Sequence, residues 1–491
     1  MTEERPRPRR RRPALRQSRI WRGEEMTETM PMVETLRNTP YRNAKVRQAV
    51  AEEREARASL DLALRVGELM LRCGADAPQV EASVVAVAAA AGLDNLEVDI
   101  TLQSLLVQCT TPSGVPITML RVVRSSTRDF ARLVAVHEFV EELVSGEYDR
   151  EAASARLREI RRAPRFWPRW VVRGAPAVTS GAIALMLGAG VVAAVVAGAS
   201  SLLIGYAVRK LSRVGVPEFY QSAVGGFLAT VLAWGAFAVG AQSWLPVSST
   251  EFAFMVAGGI TVLLPGRVMA SAFEDAISGY AVTGAGRVFG VLLTTSAIIL
   301  GVATGLAVTL QLGRVLELEL ASPSILSSRA SDAPFGLAMV GAAIVGVSGA
   351  VSLRSRRRLV LPAGALSLAA TVVSLLVSRV EGAGLIASAG VAAVVLGAAG
   401  RLVALRLGAP AMVLIVPASY ALLPGLAIFR GLYQLFGSGT DAGTLSQQGG
   451  IATLLGAMAT LLAIAAGSVF GEFLAAPFDH RMVQKRRVRS R

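Results

Sequence analysis

Polar and apolar positions divide this chain in two. Up to about residue 170, charged residues interrupt every apolar run. From 174 to 476, Ala, Val, Leu, Ile and Gly dominate. In the first part Leu60, Leu62, Leu64, Val66, Leu69 and Leu71 predict a helix that stops at Gly74. Asp76 or Ala77-Pro78 restarts a second helix over 79–91, which Gly92 ends. Residues 96–110 mix β-branched and polar side chains and read as one strand. Pro112-Ser113-Gly114 is turn chemistry, and 117–123 pairs back to complete a hairpin. Apolar spacing makes 127–145 an amphipathic helix. A last helix covers 149–161, with Asp149 as its N-cap. The predicted order is α-α-β-β-α-α.

The second part contains apolar runs of about 20 residues, long enough to cross a bilayer. Ten spans are predicted: 175–194, 196–209, 218–240, 253–272, 284–309, 334–352, 359–378, 383–404, 409–430 and 450–474. Gly198-Ala199-Ser200 is the only separator between the first two. Loop charges test the count. With the N-terminus inside, the inner loops carry Arg209, Lys210, Arg213, Arg267, Arg287, Arg354, Arg356, Arg357, Arg358, Arg401 and Arg406. The C-terminal tail brings the inner total to 17 Lys and Arg. The outer loops hold four: Arg314, Arg329, Arg379 and Arg430. That asymmetry follows the positive-inside rule, and merging the first two spans would reverse it.

Composition agrees with this picture. The 491 residues are 53% hydrophobic, with mean hydropathy +0.52, too apolar for a soluble globular protein. Gly is abundant at 48 residues, as closely packed membrane helices require. The net charge of +15 lies in the N-terminal tail, the short loops and the C-terminal tail. That distribution argues for membrane topology and against nucleic acid as a partner. Residues 1–57 read as a disordered basic arm, with helical character near 44–57. No apolar segment follows the arm closely enough to form a secretory signal. Residues 58–165 form a cytosolic α/β domain, 174–311 a first membrane unit, 334–475 a second, and 476–491 a basic tail. The two cysteines, Cys73 and Cys109, both fall in the soluble part, where a structural disulfide is not expected if that part is cytosolic. His137 and His480 stand far apart, and no metal-ligand cluster or cofactor motif is present. Phosphate-loop, serine-hydrolase and zinc-protease motifs are also missing, so ATP-driven pumping and catalysis are not expected. Asp76, Glu81, Glu97, Asp99, His137 and Glu138 read as a solvated surface of the domain.

The peptide Leu-Leu-Pro-Gly occurs twice, at Leu263-Leu264-Pro265-Gly266 and Leu422-Leu423-Pro424-Gly425. Each copy lies in the fourth span of a five-span half. An odd number of crossings per half makes the second run opposite to the first, which is an inverted repeat. Ala297-Ile298-Ile299-Leu300-Gly301 and Ala463-Ile464-Ala465-Ala466-Gly467 resemble one another in the fifth spans. Proline removes a helical hydrogen bond and glycine loosens the backbone, so both fourth spans should break. Gly258 and Gly259 align with Pro417 and Ala418 as a second weak point in each. Between the weak points lie Thr261 in one copy and Ser419 and Tyr420 in the other. Freed N–H groups would bind a carboxylate, and freed carbonyls with these hydroxyls an ammonium group. The alternative is a kinked helix that merely packs well. Arg267, Glu274, Asp275 and Arg287 follow the first break. Asp275 is the candidate for proton relay or substrate contact, with Gln434 as its counterpart. Arg287 is either a topological anchor or a participant. Arg430 is either an outer gate or a snorkelling side chain.

These features together resemble the threonine/serine exporter family. Gly67-Glu68-Leu69-Met70-Leu71-Arg72-Cys73-Gly74-Ala75 is similar to its opening helix and turn. Ala91-Gly92-Leu93 and Val98-Asp99-Ile100-Thr101 are similar to the segment that follows. The first Pro-Gly motif with Asp275, Gly279 and Arg287 resembles one membrane signature; Ile415-Val416-Pro417 through Gly425 resembles the other. Leu426 stands where the first copy has Arg267, a departure between the halves. The resemblance implies export of threonine and serine from the cytoplasm, driven by the proton motive force. The expected protein is mainly α-helical and polytopic in the inner membrane, with both termini cytoplasmic. Its partners are the lipid bilayer and a small amino-acid substrate, and a homo-oligomer is compatible with the sequence. Dicarboxylate export, or a membrane-embedded sensor or scaffold, are the alternatives.

Overall fold

The computed structural model describes residues 44–478 apart from 94, 113, 125, 126, 128, 243–247, 318–333 and 437–443. Most of the expected arm and tail, and the loop holding Arg329, lie outside the described residues.

The soluble domain begins with α1 (Ala44–Cys73), so the helical character expected at 44–57 runs straight into the domain's first helix. Gly74, at φ +96, ends it: the N–H groups of Gly74 and Ala75 both reach back to the Met70 carbonyl. Helix α2 (Ala77–Ala90) starts at once, with Pro78 in its first turn. The sheet differs from the expected hairpin. It has three antiparallel strands, β1 (Leu96–Thr101), β2 (Ser104–Thr110) and β3 (Pro116–Val122), in the order β1-β2-β3. The single strand expected over 96–110 folds back at Leu102-Gln103, pairing Ile100 with Leu105. Leu102 takes the left-handed conformation, φ +49, that such a tight turn demands. No glycine or asparagine announces the turn, and for that reason the residues read as continuous. Leu105, Val107 and Cys109 of β2 face the helices, as a period of two dictates. Helices α3 (Phe130–Val144) and α4 (Arg150–Arg162) complete the domain. Asp129 caps α3 by accepting from the Arg132 N–H at 3.2 Å, and Asp149 caps α4 by accepting from the Ala152 N–H at 2.7 Å.

Twelve membrane-region helices follow among the described residues. They are α5 (Arg169–Met186), α6 (Val191–Arg213), α7 (Glu218–Gln242), α8 (Ser249–Thr261), α9 (Gly266–Ile277), α10 (Ala281–Val315), α11 (Phe335–Ser352), α12 (Arg357–Val377), α13 (Leu385–Leu407), α14 (Met412–Ser419), α15 (Gly425–Phe436) and α16 (Thr444–Ala475). Among the described residues, eight segments are long and apolar enough to cross a membrane. Large apolar side chains such as Val191, Val282 and Leu361 stand exposed along them, as lipid-facing surfaces do. The chain is thus a mainly helical, multi-pass membrane protein with a small sheet domain. The first two predicted spans are separate helices, but they part at Leu187–Gly190, not at Gly198-Ala199-Ser200. Gly188 at φ +102 makes that turn, whereas Gly198 sits inside α6.

The same set of packings occurs twice. In the first half α5 packs on α6, α6 on α7, and α7 on α10, with α8 against α5, α6 and α7. In the second, α11 packs on α12, α12 on α13, and α13 on α16, with α14 against α11, α12 and α13. Helices α9 and α15 cross over: α9 touches α16, and α15 touches α8 and α10. Close approach in the α7–α10 and α13–α16 pairs depends on glycine. A methyl group at Gly301 would overlap the Ala223 carbonyl, and one at Gly471 would overlap the Val394 carbonyl.

Two predictions follow from this packing. Gly301→Ala and Gly471→Ala each overpack a helix pair, at a cost of about 1–3 kcal/mol. A thermal-shift measurement in detergent should show lower melting temperatures for both, while Gly290→Ala, where nothing lies near the added methyl, leaves it unchanged. In the soluble domain, burial and then the neighbouring Asp129 carboxylate push the Cys73 thiol up to about 12. Cys73 should therefore resist maleimide at neutral and mildly alkaline pH, and label only after denaturation.

Candidate functional site

The two Pro-Gly motifs do break their helices. Helix α8 runs to Thr261, and the chain turns through Val262, Leu263 and Leu264 before Pro265 caps α9. In the second copy, α14 includes Pro417 and tightens into a 3-10 turn at Tyr420–Leu422. Leu423 is then extended (φ −67, ψ 135), and α15 begins at Gly425. A helix start leaves its first-turn N–H groups without intrahelical partners, so each break opens a set of donors. The second weak points behave differently from expectation. Gly258 and Gly259 remain inside α8; they let it approach the Ser180 carbonyl of α5 and the Ala229 side chain of α7. Pro417 lies inside α14 without severing it, and its carbonyl and Cβ, like the Tyr420 ring, come close to Gly349 of α11.

The breaks meet each other. Gly425 sits directly on the Thr261 hydroxyl, so that any side chain there would collide with it and crowd the Ala257 carbonyl. Thr261 is buried, and its hydroxyl donates to the Ala257 carbonyl at 2.6 Å. The Ser419 hydroxyl likewise donates to the Val416 carbonyl at 2.9 Å. These two hydroxyls are thus engaged by their own helices. One turn beyond Gly425, the Phe429 ring meets Phe252 of α8 edge-on at 5.7 Å and stacks on Tyr433 at 5.8 Å. Arg430 is half-buried on the same helix. Beyond their backbone, Gly266 and Arg267 lie outside the described residues, so no surroundings are given for the role expected of Arg267.

The charged residues after the first break assemble around Asp275, at the far end of α9. Its side chain has no exposure. One carboxylate oxygen accepts the Ala77 N–H at 2.9 Å; the other lies 2.6 Å from Nη1 of Arg287. The same Arg287 nitrogen lies 3.6 Å from Oδ1 of Asp76, itself 1% exposed. Sequence reasoning paired neither the two membrane residues with each other nor either with the soluble domain. The Glu274 carboxyl of α9 and the Glu472 carboxyl of α16 lie near Asp76, and Glu472 also lies near Arg401. Gln434, the expected counterpart of Asp275, accepts from the Thr453 hydroxyl at 3.2 Å.

The domain grips the membrane part at two places. Beside Asp275, the Tyr280 hydroxyl donates to Glu81, and burial together with Glu81 pushes that hydroxyl's pKa up and keeps it a donor. Thr283 donates to the Ile100 carbonyl at 2.9 Å and accepts the Leu102 N–H at 3.1 Å. On the other side, Phe130 and Ala131 N–H groups donate to the Leu353 and Arg354 carbonyls at 3.0 and 3.1 Å. Trp167 donates to the Ser355 carbonyl at 2.8 Å, and Arg356 and Arg358 both pair with Glu138. Three acids read as solvated surface, Asp76, Glu81 and Glu138, are therefore docking residues. Asp76 carried one usable signal. It stands at an N-cap position between Gly74 and Pro78, yet its side chain makes no capping bond and turns to Arg287 instead.

The comparisons with known proteins agree with this architecture. A family described as "Putative threonine/serine exporter" matches residues 61–309, and one described as "Threonine/Serine exporter, ThrE" matches 338–474. The "Probable threonine/serine exporter" of Mycobacterium tuberculosis (strain ATCC 25618 / H37Rv) is 31% identical over 430 residues, covering 87% of this chain and 78% of that one. The "Threonine/serine exporter" of Corynebacterium glutamicum is 30% identical over 423 residues, covering 85% of this chain and 82% of that one. No solved structure matches the chain. With both membrane halves and the soluble domain inside these matches, the chain belongs to the threonine/serine exporter family.

Proposed function

We propose that this chain exports threonine and serine from the cytoplasm as a secondary transporter driven by the proton motive force. The observation that carries the reading is the meeting of the two breaks at Thr261 and Gly425. Two half-helix starts, at Pro265-Gly266 and Pro424-Gly425, bring first-turn N–H donors into the middle of the bundle, where a substrate carboxylate fits. The carbonyls and hydroxyls of Thr261, Ser419 and Tyr420 supply acceptors for its ammonium group. The names of the relatives supply the substrate class.

The transport reading counts ten spans. They are the eight long apolar segments, α5, and the broken pair α8–α9 taken as one crossing. The duplicated packing of α5–α10 and α11–α16 supports two five-span repeats of opposite direction. The loop-charge asymmetry supports cytoplasmic termini and a cytoplasmic domain. Proton coupling is supported by the carboxyls gathered at this place, Asp76, Glu274 and Glu472 beside the Asp275–Arg287 pair. Carboxyls crowded together away from water are the groups able to take up and release a proton as the parts around them move.

Reconstitution tests this directly. Proteoliposomes should show counterflow of labelled threonine and serine, and collapse of the proton gradient should stop uphill movement. Flux of dicarboxylates alone would replace the substrate class; flux of neither would end the transporter reading. At matched amounts of folded protein, Pro424→Ala and Asp275→Asn should each reduce threonine flux about tenfold or more. Wild-type rates in both would remove these residues from the machinery. Gly425→Ala should also lower flux, and Thr261→Ala in the same chain should restore part of it by removing the colliding hydroxyl.

A further inference from the structure

The soluble domain is joined to the two membrane halves by different chemistry. Toward the second half the joint is apolar and continuous. Leu60, Leu133 and Phe139 of the domain belong to one buried cluster with Leu353, Leu359 and Val360, which extends through α11, α12, α13 and α14. Backbone bonds from Phe130 and Ala131, and the Arg357 guanidinium stacked over Trp167 at 5.5 Å, reinforce it. The first half has its own clusters, built chiefly on α6, α7, α8 and α10. The domain reaches that half chiefly through a short row of polar contacts, Asp76 and Ala77 on Asp275 and Arg287, Glu81 on Tyr280, and the β1–β2 tip on Thr283, with only Tyr280 and the Leu102–Gly286 touch as apolar additions among the contacts described.

Separating a continuous core exposes apolar area to water, at about 25 cal/mol per Å². Polar groups that part near the membrane surface exchange their partners for water at small net cost. The two joints therefore differ in how readily they open. We propose that the soluble domain travels with α11–α14 as one body, and that its polar joint to the first half opens and closes in each transport cycle. In the closed state described here, the domain ties the two halves together at the Asp275 end of α9. The inference rests on the two-half transporter reading, but its test separates the two.

The contact between Leu102 and Gly286 offers a place to hold the joint shut. A Cβ at Gly286 would lie 2.7 Å from the Leu102 side chain. Cys73 and Cys109 are buried and stay in place, because burial raises both thiols. In the full chain carrying Leu102→Cys and Gly286→Cys, oxidation to the cross-link should reduce threonine counterflow about tenfold or more, and reductant should restore it. Linking Glu138→Cys to Arg358→Cys with a flexible bis-maleimide, on the second-half side, should leave the rate unchanged. A verified 102–286 cross-link that transports at the reduced rate overturns the proposal, as does loss of flux from the 138–358 link alone. Spin labels provide a readout that does not require flux. Labels at Glu97→Cys and Ile277→Cys should report two distances whose populations change with threonine, while labels at Glu141→Cys and Arg357→Cys report one. A single, substrate-independent distance for the first pair also overturns it. Absence of flux in the unmodified chain, with two distances still present, would instead fault the exporter reading.

Discussion

A carboxylate with no solvent exposure cannot remain charged in apolar surroundings unless other groups solvate it. Asp275 is such a group, and much of the architecture follows from its needs. Arg287 supplies the charge from the start of α10, and the Ala77 N–H supplies a donor from the soluble domain. For that N–H to arrive, α1 must end sharply at Gly74 and α2 must start within three residues. The left-handed glycine and Pro78 arrange both. One buried side chain thereby sets the contact between the domain and the first half. Arg287 is shared with Asp76, and Glu274 and Glu472 lie near Asp76, so the charged groups gathered here come from the domain and from both halves.

The helix breaks obey a related constraint. A bilayer offers no water to satisfy freed backbone groups, so broken helices are stable only where protein surrounds the break. Each break in this chain is enclosed by the helices of its own half and by the other half's broken span. Thr261 against Gly425 is the point of contact. Once the first span breaks there, glycine at 425 becomes a steric requirement of the second. The aromatic group of Phe252, Phe429 and Tyr433 then seals the neighbouring layer. The paired motif is thus a mutual fit between two spans as well as a repeated local flaw.

The halves share a packing plan without sharing chemistry. Where the first half has the charged Asp275, the second has the uncharged Gln434, which accepts from Thr453 within the α15–α16 hairpin. The glycines that bring α7 to α10 and α13 to α16 serve the same purpose in each half. The Asp275–Arg287 pair belongs to the first half, and the apolar seat of the soluble domain to the second. A repeated packing plan thus carries different chemistry in its two halves.

Length and periodicity of apolar runs determined by themselves that this chain is helical and multi-pass, because the bilayer imposes a single length scale on every span. Proline followed by glycine located the two breaks at Pro265-Gly266 and Pro424-Gly425, because the pair removes a helical donor and loosens the backbone at one point. Asp149 was legible as a cap for a similarly local reason. The sequence could not show the turn at Leu102-Gln103, where packing against Thr283 and Gly286 holds a residue with no turn preference. Nor could it show that Gly258, Gly259 and Pro417 serve close packing while their helices continue, since a glycine that bends and a glycine that admits a neighbour look alike. Asp76 read as solvated because an acid before a helix is ordinarily a cap facing water. Only the tertiary structure placed it beside Arg287, 211 positions along the chain. Local chemistry is written residue by residue, but the partners of a buried charge are chosen by whichever distant segments the fold brings within reach.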